Sequence, residues 1–346
     1  MTRRLRVVQW ASGNIGTRAA LQVLRHPDLD LVGMLVYDPD KAGRDIGELC
    51  GEPATGILAT TDKGAVTSWS PDCVVYMPRA LDLDEVGEML GRGINVVTTC
   101  GEFQAGGRGL PDKVRARIEK ACEQGNTSIY ATGSSPGFIT DALPLALLSL
   151  QCRVDRIEIE EYANLSGRNS PHLLFEQMGY ARPMAKPDKR RAEHLLTQFG
   201  PPLEELAEAA GKPVDSWSAS GELAAATTDV EIVAGSIPAG TVAAQRTVIS
   251  GTSAGDEVVR FTATWYCSNE LDPQWDLLKT GWRVRMKGDA PLDVRLEFPF
   301  SVEELGEHTP GYTANRPVNA IKHVVAARSG ILKTSDLPPL TPSGLF

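Results

Sequence analysis

The sequence lacks several features that would assign it to a class at once. Its 346 residues contain no run that approaches the roughly 18 apolar residues of a bilayer-spanning helix. The six cysteines form no CxxC pair. The five histidines are dispersed, without the HxxEH-like spacing of a zinc site. These gaps predict a protein with no membrane partner and no bound metal.

Basic surface is also scarce. The chain has 35 Lys and Arg against 44 Asp and Glu, a formal net charge of −9. Because phosphate backbones select basic surfaces, no nucleic-acid partner is expected. The apolar segment behind the basic N-terminus is about five residues long, too short for the core of a signal peptide. Together with the scattered cysteines, this favours a reduced, cytoplasmic protein.

The first 150 residues alternate between strand and helix. The predicted strands are nearly continuous apolar runs at 5–10, 31–37, 73–77, 95–99 and 128–131. The predicted helices between them lie at 15–25, 84–92 and 111–124. Strands that are apolar throughout are buried on both faces, which is typical of a parallel sheet covered by helices on each side.

The pattern changes after about residue 150, where strands alternate apolar and polar positions. The predicted strands are 156–162, 229–236, 242–250, 257–267, 282–287 and 292–298, and the predicted helices are 170–178, 188–199, 203–210 and 315–328. Turns such as SGTSAGDE separate the strands and predict a mostly antiparallel sheet. We therefore expect an α/β protein with a doubly wound domain at 1–140 and an α+β domain at 141–311. A C-terminal helix and tail at 312–346 is expected to pack back on the first domain.

The stretch VVQWASGNIG, residues 7–16, is a strand that runs into a glycine turn. Gly13 and Gly16 match the last two glycines of the dinucleotide-binding fingerprint, and Ala11 stands where the first glycine belongs. The first position is expected to need only a tight turn, so alanine is tolerated there. The N–H groups of the helix that follows would hold phosphate. An ordinary strand-to-helix turn is the alternative. The sequence context favours a Rossmann domain whose candidate cofactor contacts are Ser12, Gly13, Asn14, Ile15 and Gly16.

Charged residues follow the second predicted strand. Asp38 lies about 20 residues after the glycine turn, where an acid holds the 2′-hydroxyl of the adenine ribose of NAD. Lys41 and Arg44 follow in the same loop, close enough to neutralise a 2′-phosphate. The cofactor is therefore predicted to be NADP or NAD, with a slight preference for NADP. A solvated surface loop is the alternative for these three residues.

Three further segments end predicted strands at the edge where ligands of an open parallel sheet bind. YMPRA contains Met77 and Pro78, TTCGEF contains Cys100 and Glu102, and ATGSSPGF contains Ser135. All but Glu102 are candidate cofactor contacts. Glu102 is the candidate acid/base, since a partly desolvated carboxylate at this edge exchanges protons near neutral pH. The last segment is alternatively an interdomain linker, and Glu102 alternatively an exposed loop residue.

A rival interpretation makes Cys100 a nucleophile, as in an acylating semialdehyde dehydrogenase. That chemistry needs a thiolate paired with a base, for which His172 and His194 are the candidates. A buried, unreactive cysteine at a strand end is the simpler interpretation.

Five segments together resemble a known family: WASGNIG, DPDKAGRDIGEL, VVTTCGEF, TGSSPGF and TANRPVNAIKHVVAARSGI. They are similar to the dihydrodipicolinate-reductase-like NAD(P) oxidoreductases, nearest to 2,4-diaminopentanoate dehydrogenase and the native amine dehydrogenases. The paired histidines and the K…PSGTA segment of true dihydrodipicolinate reductases are missing, so the resemblance does not imply lysine biosynthesis.

The resemblance implies reversible reductive amination of a small ketone or aldehyde by ammonia and NAD(P)H. In the amine dehydrogenases a glutamate after the fifth strand is catalytic, and Glu102 matches it. Ser135 replaces the usual asparagine before PGF. Phe138 is expected to wall the nicotinamide and substrate, and Tyr162, His172 and Met178 are pocket candidates from the second domain. That domain is also the expected homodimer interface. A diaminopentanoate or semialdehyde dehydrogenase, or a non-catalytic NAD(P) sensor, are the alternatives.

Overall fold

The computed structural model describes residues 3–342. Its strands are β1 Leu5–Trp10, β2 Leu29–Leu35, β3 Cys73–Tyr76, β4 Asn95–Thr98, β5 Ser128–Ala131, β6 Val154–Asn164, β7 Ser216–Ala226, β8 Val230–Ile232, β9 Gly235–Ile237, β10 Val242–Ser253, β11 Asp256–Tyr266, β12 Leu271–Asp272, β13 Gly281–Gly288, β14 Leu292–Glu297 and β15 Gly330–Leu332. Its α-helices are α1 Asn14–Arg25, α2 Ile46–Leu49, α3 Gly64–Ser68, α4 Leu83–Gly91, α5 Gln104–Gly107, α6 Asp112–Gly125, α7 Leu143–Leu148, α8 Lys189–Ala209 and α9 Val302–Val325.

The chain divides into two compact units. Within the described residues, the first unit comprises 3–138 and 310–342, and the second comprises 139–309. The helix α9 runs through the boundary at 310, so its C-terminal part belongs to the first unit.

The first unit is built on a six-stranded parallel sheet in the order β15-β5-β4-β3-β1-β2. Alternate residues of its strands face opposite sides. Val7 packs with α1 and with Val318 and Ile321 of α9 on one face, whereas Val8 packs with α4 and α6 on the other. The chain order reverses between β1 and β3, which is the switch point where ligands bind in such sheets. The predicted doubly wound sheet is confirmed.

The second unit contains a seven-stranded sheet in the order β12-β7-β10-β11-β6-β13-β14. Only the β11–β6 pair is parallel, so the sheet is mostly antiparallel, as predicted. On one face, Phe261 of β11 stacks on Phe199 of α8 with ring centroids 4.3 Å apart. Glu158 of β6, which is almost fully buried, instead pairs with Arg156 at 2.8 Å and Arg285 at 2.6 Å. The sheet therefore has an apolar face and a charged face.

Several predicted elements of the second half were wrong. The strand β7 was missed because its sequence, SWSASGELAAA, is rich in small residues of low strand propensity. The predicted strand 229–236 is instead a hairpin of the two short strands β8 and β9. Its turn falls in the middle of the apolar run, so hydrophobicity alone did not reveal it.

Helix boundaries near prolines were also wrong. The predicted helices 188–199 and 203–210 are one helix, α8, which continues through Pro201 and Pro202. Likewise α9 begins at Val302 and continues through Pro310, although the predicted helix began at 315. Proline disfavours a helix interior by about 3 kcal/mol. Burial of residues such as Leu203 and Leu206 opposes that penalty in α8.

The structure adds three observations on the expected absences. Within 3–342, no helix combines the length and apolarity needed to cross a membrane. The same residues contain no cluster of three or more His, Cys, Asp or Glu side chains placed to bind a metal ion. All six cysteines are free thiols.

Candidate active site

The glycine turn has the geometry that the fingerprint requires. Gly13 has φ −68° and ψ 178° and forms the N-cap of α1 without a side-chain cap. A Cβ on Gly16 would lie 2.2 Å from the carbonyl oxygen of Ala11, so only glycine lets α1 approach β1 this closely. Ala11 itself has φ +77°, in the left-handed region. The expectation that the first position needs only a tight turn was therefore wrong, since it needs a conformation that favours glycine.

Buried Gln9 holds this turn in place. Its side-chain amide donates to the carbonyl oxygens of Trp10 at 3.1 Å and Ala11 at 2.9 Å. These bonds fix the strained peptide and the entry to α1. Sequence reasoning missed Gln9, although a glutamine inside an otherwise apolar strand was a visible signal.

Hydrogen bonds connect the carboxyl ends of the parallel strands. The N–H of Ala11 donates to Leu35 O at 2.9 Å, and the N–H of Met77 donates to Trp10 O at 3.1 Å. The Thr98 hydroxyl donates to Tyr76 O at 2.7 Å, linking β4 to β3. Met77 is buried and Pro78 half-buried at this edge. The segments that follow β1, β3 and β4 are therefore fixed beside one another.

The three charged residues predicted in the loop after β2 make different contacts. Asp38 is exposed, and its carboxylate accepts from the N–H of Asp40 at 3.0 Å. The Lys41 ammonium donates to Ser12 O at 3.0 Å, so it reaches back to the glycine turn. Arg44 is exposed and makes no side-chain hydrogen bond or ion pair within 3–342. Of the two predicted cations, only Lys41 contacts the turn.

Glu102 lies on a short 3₁₀ turn, Gly101–Phe103, that follows β4. Phe103 is fully buried in the apolar cluster beneath the turn and anchors it. The Glu102 side chain is half-buried, and no described residue gives it a hydrogen bond or an ion pair. The resemblance placed the catalytic glutamate after the fifth strand. Glu102 instead follows β4, the fourth strand in chain order. The Glu102 carboxylate therefore has a fixed place, and its oxygens accept no hydrogen bond from the described residues.

Cys100 is not in the state that a nucleophile requires. Burial, reinforced by the nearby Glu102 carboxylate, raises the pKa of the Cys100 thiol to about 11. Among residues 3–342 no hydrogen bond joins this thiol to a histidine. His172 instead pairs with Glu176 at 2.8 Å in the second unit. A protonated thiol is a poor nucleophile, so the burial of Cys100 disfavours the semialdehyde-dehydrogenase alternative.

The turn after β5 carries Ser135 and Phe138, with extended or left-handed backbone at 135–137. The Ser135 hydroxyl oxygen is buried, and no described residue gives it a hydrogen bond. Arg316 of α9 supports the turn: its Nε donates to the Thr132 hydroxyl at 2.9 Å, and its guanidinium lies 5.6 Å from the centre of the Phe138 ring. Sequence reasoning missed Arg316, which lies nearly 180 residues away in the chain.

The three remaining candidates belong to the second unit. Tyr162 lies on β6, where burial raises the pKa of its hydroxyl. Met178 packs against the apolar cluster around Tyr180 and Tyr266. His172 is exposed and contacts Glu176 and Gln177. Their assignment to a substrate pocket stays a prediction.

The residues of the first unit fit a nicotinamide dinucleotide. The uncapped N-terminus of α1 offers free N–H groups to phosphate. The close approach at Gly16 leaves no room for a side chain beneath the turn. The orphaned Ser135 hydroxyl provides a polar group for a ligand amide. These features lie along the sheet edge that also carries Glu102.

Comparison with known proteins covers the chain as a whole. No protein-family model matches the chain. An amine dehydrogenase from Streptomyces virginiae is 28% identical over 344 residues, covering 96% of this chain and 95% of that protein. The structure of an amine dehydrogenase from Mycobacterium smegmatis superimposes with a TM-score of 0.77 at 19% identity, covering 99% of this chain and 98% of that one.

A more distant structure shares the fold. GenD2 from gentamicin A biosynthesis, solved in complex with NAD, superimposes with a TM-score of 0.54 at 13% identity, covering 93% of this chain and 87% of that one. At such identities the structural likenesses establish the fold alone. The predicted similarity to amine dehydrogenases is thus confirmed along almost the whole chain, and the protein is an oxidoreductase with the fold of the NAD(P)-dependent dehydrogenases.

Proposed function

We propose that this protein is an amine dehydrogenase that converts a small ketone or aldehyde, ammonium and NAD(P)H reversibly into a primary amine, NAD(P)⁺ and water. The observation that carries the proposal is the Glu102 carboxylate, half-buried and unpaired within 3–342, at the ligand-binding edge of the parallel sheet. The 28% identity to an amine dehydrogenase supports the choice of reaction.

Glu102 would act as the acid/base. As a carboxylate it takes a proton from ammonium and releases ammonia to attack the carbonyl carbon. It then returns a proton to the carbinolamine hydroxyl, so that water leaves and an iminium forms. The carboxylate, again negative, stabilises the iminium in a water-poor site. The bound cofactor supplies the hydride that reduces the iminium carbon.

The other residues would bind and orient. The N-terminus of α1 and Gly13 hold the pyrophosphate, and when the cofactor is NAD, Asp38 accepts from the ribose 2′-hydroxyl. Ser135 contacts the nicotinamide amide, and Phe138, supported by Arg316, walls the substrate side. Tyr162, Met178 and His172 remain proposed pocket residues.

The chemistry is tested with ¹⁵N-labelled ammonium. The full-length protein is incubated with NADPH and a panel of small ketones and aldehydes, and the products are analysed by mass spectrometry. We expect a primary amine that carries the label, in amounts equal to the NADPH consumed. An unlabelled alcohol as the only product would show a carbonyl reductase instead and would contradict the proposal.

We further propose a homodimer formed through the seven-stranded sheet, in a cytoplasmic setting. The breadth of the sheet and its charged face around Glu158 support the first proposal, and the six free thiols support the second. Light scattering on the purified protein gives the mass: twice 37.3 kDa is expected, and a monomer contradicts the dimer.

A further inference from the structure

A cavity of about 490 Å³ opens beside the glycine turn of the first unit. It lies between α1 and the loop that leads to and follows α2. Its polar lining includes Ser12, Asn14 and Thr17 on the α1 side and Lys41 on the loop side. The cavity touches the same Ser12 that accepts the hydrogen bond of Lys41. It is therefore continuous with the turn that would hold the dinucleotide.

Two cations line this cavity and no acid does. Besides Lys41, the lining contains Arg18, which lies one turn after the start of α1. The Arg18 side chain is half-buried. No residue within 3–342 accepts a hydrogen bond from it or forms an ion pair with it. A guanidinium held in a cavity without an acidic partner has five donors for an anion, and it matches the oxygens of a phosphate in pairs.

Arg44 does not take part. It is exposed and is absent from the lining, although its position after β2 made it a candidate from sequence. Asp38 is absent from the lining as well. The cation that accompanies Lys41 is thus contributed by the helix and not by the loop.

We propose that Arg18 and Lys41 form a subsite for the 2′-phosphate of NADP and make the protein prefer NADP over NAD. The proposal rests on the proposed use of a nicotinamide cofactor and deepens it. The 2′-phosphate is a phosphomonoester dianion, and it is the group by which the two cofactors differ. The two cations stabilise that dianion, and no acid in the cavity opposes them. They give a neutral 2′-hydroxyl no comparable stabilisation.

The test measures binding and not turnover. Calorimetric titration of the full-length protein gives the Kd of NADPH and of NADH, and of 2′-AMP and 5′-AMP as fragments. The variants are Arg18→Met and, as a matched control, Arg44→Met. We expect Arg18→Met to raise the Kd of NADPH and 2′-AMP at least tenfold and to leave NADH and 5′-AMP within about twofold. Arg44→Met is expected to leave all four within about twofold.

Other outcomes overturn the proposal. If Arg18→Met weakened the binding of NADPH and NADH equally, Arg18 would contact a group that both cofactors contain. If it weakened neither, Arg18 would not belong to the cofactor site. Selective loss in Arg44→Met would assign the phosphate to the loop. Arg18→Lys is expected to recover part of the affinity for 2′-AMP, which a collapsed fold would not.

The outcomes also separate this inference from the proposed reaction. If 2′-AMP binds selectively through Arg18 but no carbonyl is aminated, the subsite stands and the reaction fails. If ammonia is incorporated while NADPH and NADH bind equally, the reaction stands and the subsite fails.

Discussion

The two glycines of the turn should respond differently to the same substitution. In Gly16→Ala the new Cβ would lie 2.2 Å from the Ala11 carbonyl oxygen, which the Gln9 amide already holds at 2.9 Å. Non-bonded heavy atoms settle at roughly 3.5 Å, so α1 has to move away from β1 by about 1 Å. Such overpacking costs about 1–3 kcal/mol. Alanine recovers up to about 1 kcal/mol as the better helix former.

Taking about 2 kcal/mol for the overpacking, the middle of that range, the net cost of Gly16→Ala is about 1–2 kcal/mol. For a unit of this size each kcal/mol lowers Tm by about 2–4 °C, so a decrease of about 2–8 °C is expected. The displaced N-terminus of α1 should also bind NADPH more weakly. In Gly13→Ala, by contrast, the new Cβ has no protein atom within 4 Å, and φ is −68°. Tm should hold within about 1 °C, while NADPH affinity falls because the methyl group occupies the space that the pyrophosphate approaches.

The assay is thermal unfolding without ligand together with calorimetric titration of NADPH, for the wild type and both variants. The reasoning requires Gly16→Ala to lose stability and affinity and Gly13→Ala to lose affinity alone. An unchanged Tm in Gly16→Ala would refute the close approach of α1 to β1. Full NADPH affinity in Gly13→Ala would remove the cofactor from this turn.

Two further substitutions test neighbouring parts of the site. Cys100→Ser should keep kcat within about twofold, because a thiol with a pKa of about 11 is protonated at neutral pH; loss of turnover would restore the thiol as nucleophile. The pKa of Cys100 in the folded protein lies above the ordinary value of 9.0, so the stabilisation from burying the neutral thiol is lost as pH rises from about 9 to 11. Cys100→Ser removes this thiol, so Tm should decline less over that pH range. Arg316→Met should lower kcat/KM for the carbonyl about tenfold, equivalent to about 1.4 kcal/mol, because it removes the support of the turn that carries Phe138. The Kd of NADPH should not change, and Arg316→Lys should recover part of the kcat/KM. An equal loss of cofactor binding would show that Arg316 only maintains the fold.

Local signals predicted the first unit well. The apolar strands, the glycine turn and the helix starts lie close in sequence, and the structure places them within two residues of expectation. The helix α4, for example, begins where the Asp82 carboxylate accepts from the N–H of Asp84 at 3.0 Å. The segments that end β1, β3 and β4 come together because parallel strands share one carboxyl edge.

Contacts distant in sequence were not predictable in the same way. The strand β15 joins the parallel sheet from the far end of the chain, and Arg316 supports a turn that is formed nearly 180 residues earlier. Arg18 looks like an ordinary surface residue of an amphipathic helix until the loop around Lys41 closes a cavity over it. The missed strand β7 shows the same limit, since pairing with β10 and not its own small residues makes it a strand.

The most direct test of the central claim is the oxidation of NADPH by small ketones and aldehydes, with and without excess ammonium, in the wild type and Glu102→Gln. Glu123→Gln, an exposed glutamate on α6, is the matched control. We predict ammonium-dependent oxidation in the wild type and the control. In Glu102→Gln we predict a decrease of about 10²–10⁴-fold with unchanged NADPH binding, as expected for loss of a general acid/base. Oxidation that is indifferent to ammonium, or full activity in Glu102→Gln, would contradict the account.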